Sequence, residues 1–251
     1  MSAIRQLGKV SISGNVLTIE SYSASSYKNA VYSLTELSQL YKEALDYYSR
    51  KSYVMTLENL DILYRNGFLL EYDMNMYANC LSANKRYQDA LDIYLSIEDW
   101  TKKNNPEKIG TLYEGICSVA YLAGQYKTSV RYGELALLNL NILNFGYYLA
   151  SYWLSCSYNE LGDKYTAQST LENYLKKYYS AHDISGTDCW TKKYKDKNIA
   201  EVYRKISLLN DSYGDIKKYV IISAAWGYPE AIETCNKFSW NYSTRPYEYV
   251  Y

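Results

Sequence analysis

The only histidine in this 251-residue chain, His182, has Asp183 beside it and Cys189 seven residues on. A Cys–His dyad needs a third group to orient the imidazole, and a zinc site needs at least three protein ligands. Neither arrangement completes around His182, which reads as a solvent-exposed histidine in a polar insertion. Carboxylate pairs fare no better. Glu58 and Asp61 on one helix, like Glu114 and Glu134 on neighbouring ones, are helix-surface charges with nothing to mark an acid and a base. No Gly-rich phosphate loop is present, because Gly124 and Gly162 stand alone as helix terminators. Cys80, Cys117, Cys156, Cys189 and Cys235 are odd in number and widely spaced. They fit neither zinc spacing nor a disulfide framework. Three of them, Cys80, Cys117 and Cys156, recur at about the period of the repeat described below, within its first helices, as small core residues. The expectation is a non-enzymatic chain with no cofactor and no metal.

Charge narrows the partners. The 27 basic and 27 acidic residues cancel, and the sequence pI is near 6.6. This leaves no global drive toward nucleic acid or an anionic membrane, so neither is expected as a partner. The densest basic run, Lys192-Lys193-Tyr194-Lys195-Asp196-Lys197, lies in the polar insertion and reads as a solvated loop. The first nine residues lack the apolar run of a signal peptide, and no stretch reaches transmembrane length. A reducing cytoplasm is the expected location. What remains for function is recognition, for which 33 tyrosines supply amphipathic contact area.

The elements that would position such a surface repeat. Four times a helix-breaking residue is followed five residues later by a small one. The pairs are Lys51 with Thr56, Lys85 with Ala90, Gly124 with Ser129 and Gly162 with Ala167. An aromatic, Tyr53, Tyr87 or Tyr126, stands two residues after the first three breakers. The breakers are 34, 39 and 38 residues apart, a period that means one supersecondary unit stacked repeatedly. Small residues inside apolar helices let the two helices of a hairpin approach closely. Gly67, Gly124, Gly162 and Gly214 are expected where helices end in a left-handed turn, and a looser fifth copy is expected to begin at Gly214. Each hairpin leaves an apolar face that the next one covers.

These copies resemble the tetratricopeptide repeat. The stretch from Leu81 to Tyr94, with Lys85, Tyr87, Ala90 and Leu91, is similar to the turn and second helix of such a unit. So are Ala120 to Tyr132 and Tyr158 to Leu171. The segment from Asp215, with Ala224-Ala225-Trp226-Gly227-Tyr228-Pro229-Glu230-Ala231, looks like the related Sel1 repeat. The resemblance implies an all-α superhelix, a TPR-like solenoid of antiparallel helix pairs, acting as an adaptor or scaffold for a peptide or protein partner. A regulatory sensor or inhibitor that encloses a small peptide, ligand or toxin-like protein is the alternative. In that family the first helices line a concave groove. Carrying its groove positions across gives Tyr41 and Tyr48 in the first copy and Tyr72, Asn75, Asn79 and Ser82 in the second. It gives Glu114, Ser118 and Tyr121 in the third, and Tyr152, Cys156 and Asn159 in the fourth. These positions lack the several lysines and arginines that the family's clamp for acidic C-terminal peptides requires.

Residues 1–26 differ from the rest. Lys9 to Glu20 alternates apolar and polar residues around Gly14-Asn15, the pattern of a β-hairpin in which Ile12 faces Leu17 and Val10 faces Ile19. A lone hairpin is marginal in water. It is expected to cap the first helices, with self-association through the hairpin as the other outcome. Helices are expected over 27–50, starting near Tyr27 behind Ser25 or Ser26, then over 52–66, 69–84, 86–102, 107–122, 125–143, 146–161 and 164–179. The domain organisation is thus 1–26 hairpin and linker, 27–179 four TPR-like hairpins and 180–197 a polar insertion. Sel1-like C-terminal helices occupy 198–239 and an irregular tail 240–251.

Overall fold

A computed structural model of the protein describes residues 9–13, 16–20, 32–181 and 196–243. It divides into two compact units, Met1–Asn104 and Asn105–Tyr251. In the first, strands β1 (Lys9–Ser13) and β2 (Val16–Glu20) pair antiparallel, Val10 opposite Ile19 and Ile12 opposite Leu17. Five helices follow: α1 (Leu34–Ser49), α2 (Tyr53–Arg65), α3 (Met74–Ala83), α4 (Tyr87–Ser96) and α5 (Glu98–Asn104). The second unit begins with a 3-10 turn, Pro106–Lys108. It continues through α6 (Ile109–Leu122), α7 (Tyr126–Asn139), α8 (Phe145–Glu160), α9 (Lys164–Ala181), α10 (Lys197–Leu209), α11 (Tyr213–Ala225) and α12 (Pro229–Lys237). The Gly14-Asn15 turn, the expected helix start near Tyr27, and His182, Cys189 and Lys192 to Lys195 lie outside the described residues.

Helix pairs α1–α2, α3–α4, α6–α7, α8–α9 and α11–α12 turn in one way. Lys51, Lys85, Gly124, Gly162 and Gly227 have φ of 59°, 62°, 75°, 84° and 96°. At each, the N–H of that residue bonds the carbonyl three back and the next N–H bonds the carbonyl five back, as in Lys85 to Ser82 and Arg86 to Leu81. This Schellman arrangement satisfies carbonyls that a helix end would leave orphaned. Gly67 and Ser239 repeat it after α2 and α12. Gly214 does not: it is the second residue of α11, so the left-handed turn of the last pair falls at Gly227. Extended backbone at Asn210 and Ser212 links α10 to α11 instead.

The small residues after the turns, Thr56, Ala90, Ser129 and Ala167, are fully buried. Ser129 shows what they permit. Its Oγ donates to the Cys117 carbonyl at 2.7 Å and accepts from Ser157 Oγ at 2.7 Å, tying α7 to both α6 and α8. One turn further, a Cβ on Gly133 would stand 3.0 Å from Cys117 Sγ and 3.0 Å from Leu154 Cβ. A methyl group there would require Cys117 or Leu154 to give way by a few tenths of an ångström.

Four boundaries depart from the sequence expectation, each for a local reason; the helix expected over 27–50 begins only at Leu34, behind Ser33. The helix expected over 69–84 starts at Met74, because Asp73 accepts the Leu70 N–H and the Tyr41 hydroxyl and winds residues 70–73 into a turn. The helix over 86–102 is two, α4 and α5, which meet at the buried Ile97. The helix over 125–143 stops at Asn139, where extended Leu140 lays its side chain against Gly110; a Cβ on Gly110 would lie 2.9 Å from Leu140 Cγ. At the other end of the chain's helical part, a capping box fixes the start of α1: Ser33 Oγ accepts the Glu36 N–H while the Glu36 carboxylate accepts the Ser33 N–H.

Candidate binding face

Counting back from the left-handed residue of each of the first four turns gives equivalent positions on α1, α3, α6 and α8. Ten back stand Tyr41, Asn75, Glu114 and Tyr152; six back Leu45, Asn79, Ser118 and Cys156; three back Tyr48, Ser82, Tyr121 and Asn159. Every one of the named candidates, Tyr72 included, is exposed or half-buried, with the exception of Cys156, which is 3% exposed and belongs to the core. Tyr152 and Lys205 are among its neighbours. That position therefore offers no surface to a ligand.

In the first unit the face is partly built by its own hydrogen bonds. Tyr41 donates to Asp73 at 2.7 Å; desolvation, and after it this bond, raises the phenol pKa. Its ring leans on Phe68. Tyr94, from α4, donates to Asn79 Oδ1 at 2.7 Å, so this amide is oriented before any ligand arrives. Tyr48 packs edge-on against Tyr53 across the turn, ring centres 5.8 Å apart. Tyr72 and Asn75 stay exposed.

In the second unit the same turn geometry sets Tyr121 against Tyr126 at 5.6 Å. Tyr121 also meets Trp153 of α8 at 5.1 Å, and Trp153 meets Tyr152 edge-on at 5.3 Å. From α10, Lys205 places its ammonium 5.8 Å from the Tyr152 ring centre, and its charge holds the Cys156 thiol below where burial alone would push it. Glu201, also on α10, accepts the Tyr148 hydroxyl at 2.7 Å. Burial lifts the Tyr121 phenol to about 12, the Cys117 thiol to about 12 and the Glu114 carboxyl to about 7. Ser118 spends its hydroxyl on the Gly115 carbonyl, and Asn159 is half-buried at the end of α8. Trp153, Glu201 and Lys205 were not among the sequence candidates. Trp153 adjoins a groove position and could have been found from its neighbour. The α10 pair could not, because no breaker and small-residue signal marks α10 as another first helix.

Among the described residues no cluster of His, Cys, Asp and Glu could hold a metal ion, and no helix is long and apolar enough to cross a membrane. The arrangement offers rings, amides and isolated charges on helix faces.

No family model matches the chain, and no curated protein does. Solved structures do. A kinesin light chain-type protein from Podosopora anserina, built of nearly identical TPR-like repeats, aligns with a TM-score of 0.55 at 12% identity, covering 81% of this chain and 94% of that one. A single-substitution variant of the same protein aligns at 0.56 with the same identity and coverage. The fold is thus a TPR-like helical repeat.

Proposed function

We propose that this chain is a non-catalytic adaptor or scaffold that holds a peptide or protein partner on the face of its first helices. The observation that carries the reading is the shared register. In each of the first four pairs the small residue five after the turn is fully buried, while the residues three and ten before the turn, tyrosines and amides except for Ser82 and Glu114, remain exposed or half-buried. Rings that are already packed and amides that are already oriented lose little entropy on binding. In the first unit the contact set is Tyr41, Tyr48, Tyr72, Asn75, Asn79 and Ser82; in the second it is Glu114, Ser118, Tyr121, Tyr152 and Asn159.

The chain's ends take supporting roles. We assign the β1–β2 pair to capping the first helices, and α11–α12, turning at Gly227 ahead of Pro229, to a Sel1-like pair. The central test is affinity purification with mass spectrometry, run in parallel on the intact protein and on a Tyr72→Ser, Asn75→Ser, Asn159→Ser variant. The expected result is loss of reproducible partners with an unchanged unfolding temperature. Retention of the same partner set at the same abundance refutes the assigned face.

A further inference from the structure

We propose that the second unit receives a lysine or arginine side chain of its peptide partner, with Glu114 as the counter-charge and the rings of Tyr121, Trp153 and Tyr152 as the bed for the adjoining peptide. This rests on the peptide-binding reading above and names the chemistry of one part of the ligand.

Among the described residues, seven Asp and Glu side chains are buried or half-buried: Glu43, Asp61, Asp73, Glu98, Glu114, Asp196 and Glu201. Six have partners. Gln39 donates to Glu43, Arg86 and Tyr77 engage Asp61, and Tyr41 with the Leu70 N–H engages Asp73. Lys102 pairs with Glu98, Tyr178 and two backbone N–H groups bond Asp196, and Tyr148 bonds Glu201. Of the seven, Glu114 alone has neither a cation nor a donor. A carboxylate taken partly out of water without a partner is costly. Such a carboxylate either stays protonated or recovers that cost when a ligand brings the missing charge.

The surroundings exclude the internal cation and favour an organic one. Lys205, the cation of this face, is held over Tyr152 and against Cys156, and burial is the sole cause of the Glu114 shift. Glu114 and Tyr121 lie two turns apart on one side of α6, and Tyr121 meets Trp153 of α8. The carboxylate therefore belongs to the same face as the aromatic row. Glu114 and Tyr121 are seven residues apart on α6, which is about 10 Å along the axis, the span of roughly three residues of extended chain. Half-exposed tyrosine and tryptophan faces attract ammonium and guanidinium groups and cover their alkyl stems. A peptide whose basic residue meets Glu114 then runs its next residues across Tyr121, Trp153 and Tyr152.

The experiment uses the full chain, immobilised, and degenerate nonapeptide libraries acetylated and amidated at their ends. The central position is fixed as Arg, Lys, Gln or Glu. The expected result is roughly tenfold enrichment of the Arg and Lys libraries over Gln, with Glu weakest. In Glu114→Gln the preference falls to about twofold or less, while the variant's denaturation midpoint is no lower than that of the original protein, so misfolding is not the cause. An undiminished preference in Glu114→Gln overturns the assignment. Retention of all libraries without regard to charge overturns the cation inference and leaves peptide binding standing. Retention of none overturns both. Equal competition by free spermidine and by the Arg library, each lost in Glu114→Gln, moves the occupant from a peptide to a small polyamine and overturns the proposal as stated.

Discussion

Replacing Glu114 with glutamine should stabilise the protein at neutral pH and leave it unchanged in acid. Burial raises the carboxyl of Glu114 from 4.5 to about 7, and no partner offsets that burial. The folded state therefore prefers the protonated form. Between pH 4.5 and about 7 it binds more protons than the unfolded chain, so stability falls as pH rises through this window. The stabilisation is fully present below the unfolded value, is lost as pH passes the folded one, and stays lost above it. Each tenfold change in proton affinity is about 1.4 kcal/mol, so ionised Glu114 costs at most about 3 kcal/mol. Its half-buried position leaves some hydration, which brings the expected figure to about 1–3 kcal/mol. Glutamine keeps the shape and cannot ionise. Urea denaturation followed by helical circular dichroism at pH 4.5, 6 and 7.5 should show the two proteins converging in acid, with the variant ahead by that margin at pH 7.5. A constant difference across the three pH values, or a variant weaker at pH 7.5, would refute the claim that an uncompensated charge sits at this position.

Four other outcomes follow from the turns, contacts and chain ends. Lys85→Gly should raise stability by about 0.5–1 kcal/mol, because Lys85 carries a left-handed φ of 62°; Lys42→Gly, within α1, should lower it by about as much, and like signs in chemical denaturation would contradict the turn assignment. Ala90→Leu should cost about 1–3 kcal/mol through overpacking at a fully buried position, whereas Gln88→Leu on the exposed side of α4 should be near neutral. Equal unfolding midpoints for those two variants would remove the close contact at Ala90. Gly133→Ala, which would gain helix propensity on an open surface, should instead destabilise by about 1–2 kcal/mol, since its methyl would press on Cys117 and Leu154; a gain in melting temperature would show that α8 can retreat. Deleting residues 1–20 should lower the melting temperature and increase binding of an apolar dye while partner capture persists; an unchanged melting temperature with loss of self-association would make the strand pair an interaction element.

The repeated pairs were legible because their signals are local. A Schellman turn is made by one left-handed residue and the carbonyls of its own helix, so Lys51, Lys85, Gly124 and Gly162 mark it wherever the chain goes, and the buried small residue follows at fixed spacing. The first-helix register follows from counting back along 3.6-residue turns. Gly214 was misleading because a glycine also tolerates a helix's first turn, and only the backbone shows that Gly227 carries the left-handed conformation. Helix ends at Met74 and Asn139 depend on Asp73 meeting Tyr41, thirty-two residues away, and on Leu140 meeting Gly110. Sequence alone had no access to those distances. The same holds for the face itself: composition supplied tyrosines and a Glu at position 114, but whether that carboxylate finds a cation is decided by where α6, α8 and α10 place their charges. Lys205 went to Tyr152 and Cys156 and Tyr148 to Glu201, and Glu114 was left unpaired. Hydrogen bonding along one helix is written in consecutive residues, whereas compensation of a charge depends on three-dimensional proximity, which only packing creates.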